Sequence, residues 1–132
     1  MNTRRVTVLV CTTCRAADAA SGASPAGLLL ARSAIAALGD AGDVCIAGVR
    51  CLANCSRGPS AAIRCDGAWT YIFGNLDGAR DGPALLEGAR RLAAAADGLL
   101  PWQGRPEALK RAVIARLPPE DGAGDELEPG LA

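Results

Sequence analysis

Apolar positions along this chain recur with a period of two in some stretches and near 3.6 in others, and the switches between periods mark out its elements. Residues 4 to 10, Arg-Arg-Val-Thr-Val-Leu-Val, form a short run dominated by β-branched residues. They predict a buried strand that delivers Cys11 to a loop. A turn signal spans Gly22 to Pro25, with Ser24 as candidate N-cap, and Leu28, Leu29, Ile35 and Leu38 then recur at helical spacing until Gly39. The spacing predicts a helix over 25–38. After a Gly-Asp-Ala-Gly turn, residues 44–49 read as a second strand ending just before Cys51.

Gly58-Pro59 breaks the chain, and strands over 60–65 and 68–73 flank Asp66-Gly67 as a hairpin. Asp81-Gly82-Pro83 opens a second helix with Leu85, Leu86, Ala89, Leu92 and Ala93 on one stripe, closed by Pro101. The order is βαβββα. Pro106 then starts a segment carrying Leu109, Val113, Ile114 and Leu117, which predicts an amphipathic helix. Three parts follow: a domain over 1–100, a helical extension over 101–117, and an acidic tail over 118–132 too poor in apolar residues to fold.

Length and composition agree with one small α/β domain. The chain has 132 residues, half of them apolar, and its 14 basic and 14 acidic side chains cancel. That balance gives no electrostatic footprint for nucleic acid. The apolar run after Arg5 is too short for a signal peptide, and no stretch is long enough to span a bilayer. Six cysteines without an export signal point to a reducing compartment, with the cytoplasm as default. Abundant alanine, glycine and arginine beside a single lysine suggest a GC-rich bacterial genome.

The chemistry lies in the cysteines. The chain has no histidine, which removes mixed Cys/His zinc fingers, Rieske clusters and catalytic triads. Two close pairs, Cys11-Thr-Thr-Cys14 and Cys51-Leu-Ala-Asn-Cys55, each follow a predicted strand. Four thiolates suit tetrahedral zinc and equally a [2Fe-2S] cluster, so spacing leaves both open. Loop amides and the small residues Thr12, Thr13 and Ala53 are placed to donate hydrogen bonds to sulfur. Arg15, Arg50, Arg57 and Arg64 are near in sequence and would offset the charge of an anionic centre, or simply lie in solvent. Cys45 and Cys65 sit within and at the end of apolar strands, where a cysteine commonly serves as a small buried hydrophobe.

The run Cys51-Leu52-Ala53-Asn54-Cys55-Ser56-Arg57-Gly58-Pro59, followed by a strand, an Asp-Gly turn and Trp69-Thr70-Tyr71, resembles the second half of the thioredoxin-like [2Fe-2S] ferredoxins. With Val8-Leu9-Val10-Cys11-Thr12-Thr13-Cys14-Arg15 in front, the chain most closely resembles the DUF1636 group of that superfamily, over roughly residues 5 to 97. The resemblance implies a four-stranded mixed sheet flanked by helices. It also implies one [2Fe-2S] cluster held by Cys11, Cys14, Cys51 and Cys55, exchange of electrons with a partner protein, homodimer formation and a link to cobalamin-biosynthesis genes. One departure stands out: well-known members separate their first two ligands far more widely than the two residues between Cys11 and Cys14.

Two other readings share these residues. A zinc protein or metal carrier would use the same four thiolates. A thiol-disulfide oxidoreductase would use Cys11 and Cys14 as its redox pair, with Gly58-Pro59 before a strand, but leaves Cys51 and Cys55 without a role. The scattered carboxylates and the absence of any phosphate loop or dinucleotide fingerprint argue against a stand-alone enzyme.

Overall fold

The computed structural model describes residues 4–13, 25–53, 57–120, 127 and 129–130. Among them five strands and three helices follow in the order β1 (Val6–Cys11), α1 (Ala26–Leu38), β2 (Cys45–Val49), β3 (Ala61–Cys65), β4 (Thr70–Phe73), α2 (Gly82–Ala94), α3 (Glu107–Arg111) and β5 (Val113–Leu117). The strands form one mixed sheet in the order β2-β1-β3-β4-β5. β1 and β2 are parallel, joined through α1, and every other neighbouring pair is antiparallel.

Alternation within the strands decides which face is covered. Val6, Val8 and Val10 of β1, Ala61, Ile63 and Cys65 of β3, and Tyr71 and Phe73 of β4 belong to one buried cluster with Leu30 of α1 and Leu85, Leu86, Ala89 and Leu92 of α2. Burying each of the larger of these side chains contributes about 1.5–3 kcal/mol. The predicted α2 stripe is the buried one, Leu85, Leu86, Ala89, Leu92 and Ala93 among it. The helix ends at Ala94, before Pro101, and the chain turns at Gly98, which has a left-handed φ of 72°.

On α1 the expected apolar positions divide: Leu38 packs against the core and Leu28 is half-buried, but the most buried positions are others. Gly27, Leu30, Ala31 and Ala34 are buried, whereas Leu29 and Ile35 are exposed. The reason is a close helix crossing: a Cβ on Gly82 would lie 2.4 Å from the Ala34 amide nitrogen and from Ser33 Oγ. At that approach only small residues of α1 fit beneath α2. Arg90 of α2 adds an exposed pair with Asp43, ahead of β2, at 2.7 Å.

The largest correction concerns the extension. The expected helix over 106–117 is a single helical turn and a half, α3, after which Val113–Leu117 pairs antiparallel with β4 as a fifth strand. Val113 and Ile114 are β-branched, and a free edge beside β4 gives their backbone a hydrogen-bonded partner that a solvent-exposed helix would not improve on. The sheet therefore has five strands where four were expected. Leu109 of α3 is fully buried in the same core. Ser24 and most of the acidic tail lie outside the described residues, and α1 starts after Pro25 with no side-chain cap.

Candidate metal centre

Parallel pairing places the cysteine loops together. Cys11, the last residue of β1, stands opposite Val49, the last residue of β2, so both strands finish at one end of the sheet. In open α/β sheets that end, beyond the carboxyl termini of parallel strands, is where ligands collect. The chain from Arg50 onward returns to the same end, because β3 starts there with Ala61 opposite Val10, and the Cys11 amide donates to the Ser60 carbonyl at 3.0 Å. The loop after β4 braces it from the side: the Asn75 amide donates to the Arg57 carbonyl and the Leu76 amide to the Pro59 carbonyl. The Gly58-Pro59 peptide bond is cis.

Of the four cysteines singled out by spacing, Cys11 and Cys51 are described. Cys14 and Cys55 lie outside the described residues, as does Arg15. Cys11 is fully buried and Cys51 exposed. The first loop is fastened to the second by side chains. The Cys11 thiol donates to the Arg50 carbonyl at 3.6 Å, the Thr13 hydroxyl donates to the same carbonyl, and the Thr12 hydroxyl donates to the Val49 carbonyl at 3.2 Å. Arg50 immediately precedes Cys51, so Cys11 and Cys51 are brought to one spot through a shared carbonyl. Gly48 makes that closeness possible, since a Cβ there would lie 2.8 Å from Thr12 Cγ2.

Sulfur also receives a hydrogen bond from the backbone. The Ala53 amide points at Cys51 Sγ from 3.1 Å, and Ala53 holds a left-handed φ of 59°. The expectation of donors around sulfur thus holds for Ala53; the Thr12 hydroxyl goes to a carbonyl instead, and the Thr13 hydroxyl, besides donating to Arg50, lies 3.8 Å from Cys11 Sγ. Sequence reading named these threonines for another task, and only the parallel register, which brings Val49 and Arg50 beside them, reveals this one.

The remaining cysteines divide. Cys65 is buried, 4% exposed, and burial pushes its thiol pKa up, with Arg4 opposing and Asp66 adding a little. Cys45 is exposed, contrary to expectation, because it stands opposite Thr7, on the sheet face away from buried Val6, Val8 and Val10, while its neighbour Ile46 takes the core side. Arg50, Arg57 and Arg64 are exposed, and Arg64, opposite Thr7, lies toward the other end of the sheet from Cys11. Among the described residues no three Cys, Asp or Glu side chains gather as a metal-binding group, and no helix is long and apolar enough to cross a membrane.

Comparison with known proteins agrees with this geometry. No curated protein matches the chain. Two solved structures of a thioredoxin-like [2Fe-2S] ferredoxin from Aquifex aeolicus do, both at 18% identity. One has a TM-score of 0.54 and covers 88% of this chain and 96% of its own. The other, of the wild-type ferredoxin, has a TM-score of 0.55 and covers 84% and 97%. At that identity the likeness shows the fold alone: a mixed α/β sheet flanked by helices, folded like the thioredoxin-like ferredoxins. A family model described as a protein of unknown function, DUF1636, matches residues 8–119. The chain therefore belongs to the DUF1636 family.

Proposed function

We propose that this chain holds a [2Fe-2S] cluster on the thiolates of Cys11, Cys14, Cys51 and Cys55 and carries single electrons between partner proteins. The observation that carries the reading is the parallel register of β1 and β2, which ends both strands at one end of the sheet and brings the loops bearing Cys11 and Cys51, one member of each sequence pair, together there. The donor set fits such a centre. Without histidine every strong ligand is a thiolate, and the Ala53 amide on Cys51 Sγ supplies the N–H···S contact that stabilises sulfur charge. The fold shared with the Aquifex aeolicus [2Fe-2S] ferredoxin adds support.

A cluster of this type, when bound, accepts and releases one electron. The residues of the chain hold and shield it. Fully buried Cys11 keeps one ligand away from water, and Thr12 and Thr13 tie the two loops together through the Val49 and Arg50 carbonyls. Exposed Cys51 leaves a short route to the surface, where a partner would dock. The thiol-disulfide alternative would use Cys11 and Cys14 alone and leaves Cys51, whose sulfur accepts the Ala53 amide, without a role.

Single substitutions test the ligand set. Cys51→Ser and Cys55→Ser should each abolish visible absorbance in anaerobically purified protein, and Cys45→Ser should leave it intact. Colour that survives both loop substitutions would remove these cysteines as ligands. A colourless wild-type protein with stoichiometric zinc would favour the zinc alternative.

A further inference from the structure

The edge of the sheet opposite β2 carries an open, basic groove. From β1 to β5 is three strand spacings, about 14 Å. The groove has a volume of about 330 Å³ and is bounded by Tyr71, Trp102, Arg105, Lys110, Val113 and Arg116, with no acidic side chain in its lining. Among the described residues the two ion pairs, Arg90 with Asp43 and Arg91 with Glu87, lie elsewhere.

Its cations are arranged on aromatic rings. The Arg105 guanidinium sits 5.8 Å from the Tyr71 ring centre and 5.2 Å from that of Trp102. Its Nε and Nη2 donate to the carbonyls of Pro101 and Leu100 at 3.1 and 2.6 Å. Those bonds fix the fork in place over the two rings. Lys110 Nζ lies 5.2 Å from the Trp102 ring, and Arg116 stacks on Trp69 at 4.5 Å. Trp102 itself is 60% exposed, a large apolar surface left in water beside preorganised charge. Tryptophan and arginine are the side chains most often responsible for binding energy at protein interfaces.

β5 adds a backbone. It is the outer strand, so among the described residues one side of it has no strand neighbour and offers amides and carbonyls to an added chain. We propose that this groove docks an extended, carboxylate-rich peptide of a partner protein, running along β5 with its carboxylates on Arg105, Lys110 and Arg116. Val113 to Arg116 spans about 10 Å of strand, which suits an extended peptide with several carboxylates better than one small anion. The proposal does not depend on what the cysteines bind.

The test uses the full-length chain and a fluorescent hexaglutamate peptide, followed by anisotropy, with hexaglutamine and inorganic phosphate as comparators. Hexaglutamate should bind, more weakly as salt is raised, and hexaglutamine should not; phosphate at equal concentration should not displace the peptide. Lys110→Gln with Arg116→Gln should weaken binding about tenfold, and Arg32→Gln on α1 should not. Neither of the two groove side chains braces a backbone carbonyl as Arg105 does, and an unchanged melting temperature checks the fold. Equal affinity in the double variant, displacement by phosphate, or no binding would overturn the proposal. So would binding seen only after Asp125→Asn, Glu126→Gln and Glu128→Gln, which would give the groove to the chain's own acidic tail.

Discussion

Cys45 and Cys65 share a residue type and little else. Cys65 is buried with its pKa raised, so it stays protonated where an ordinary thiol has begun to ionise; Cys45 stands in solvent on an outer strand. In native protein at pH 8, iodoacetamide should label Cys45 and spare Cys65 until denaturant is added, as peptide mass spectrometry can read. Comparable rates would contradict the burial of Cys65. The same shift bears on stability. The unfolded chain releases the Cys65 proton at lower pH than the folded one, so stability is retained below the ordinary thiol range and falls as pH rises through it. A Cys65→Ala variant should lose part of that alkaline slope in denaturant titrations. At the cysteine loops, Thr13→Val removes a hydroxyl that ties the first loop to Arg50. It should shorten the lifetime of the proposed cluster in air without lowering the melting temperature much.

At the scale of elements, two contacts decide whether the layers fit. Gly82→Ala would press a methyl group into the backbone of α1 at Ala34, at a cost of about 1–3 kcal/mol. Leu109→Ala would empty the site where α3 joins the core, at about 2–5 kcal/mol. Urea unfolding should show both losses in one transition, with α3 and β5 melting together with the rest. A separate early transition for Leu109→Ala would make the extension an independent appendage. These elements also show what sequence patterns convey. Runs such as Val6–Val10 and the α2 stripe are legible because one face of each is fully buried. The stretch from Leu109 to Leu117 is not: its apolar residues are spaced like those of a helix, and β5, exposed for much of its length at the sheet edge, carries almost no period-two signal. The exposed Leu29 and Ile35 mislead for the opposite reason, since the close approach at Gly82 assigns burial to glycine and alanine.

At the scale of the whole molecule, zero net charge conceals separation. Glu120, Asp121, Asp125, Glu126 and Glu128 hold five of the 14 acidic residues, and residues 1–119 contain every basic one. The folded body is therefore cationic, and the Trp102 groove is one place where that charge is concentrated. Cysteine spacing made the candidate centre legible in outline. The clamp formed by Thr12, Thr13 and the Arg50 carbonyl was not, because it depends on the register between strands far apart in sequence. The central claim, that Cys11, Cys14, Cys51 and Cys55 hold a [2Fe-2S] cluster, is tested most directly by iron and sulfide analysis with electron paramagnetic resonance on anaerobically purified full-length protein. The account predicts iron and acid-labile sulfide in equal amounts, a reddish-brown colour bleached by dithionite, and a single paramagnetic signal on reduction. Colourless protein that binds zinc, or no metal at all, would contradict it.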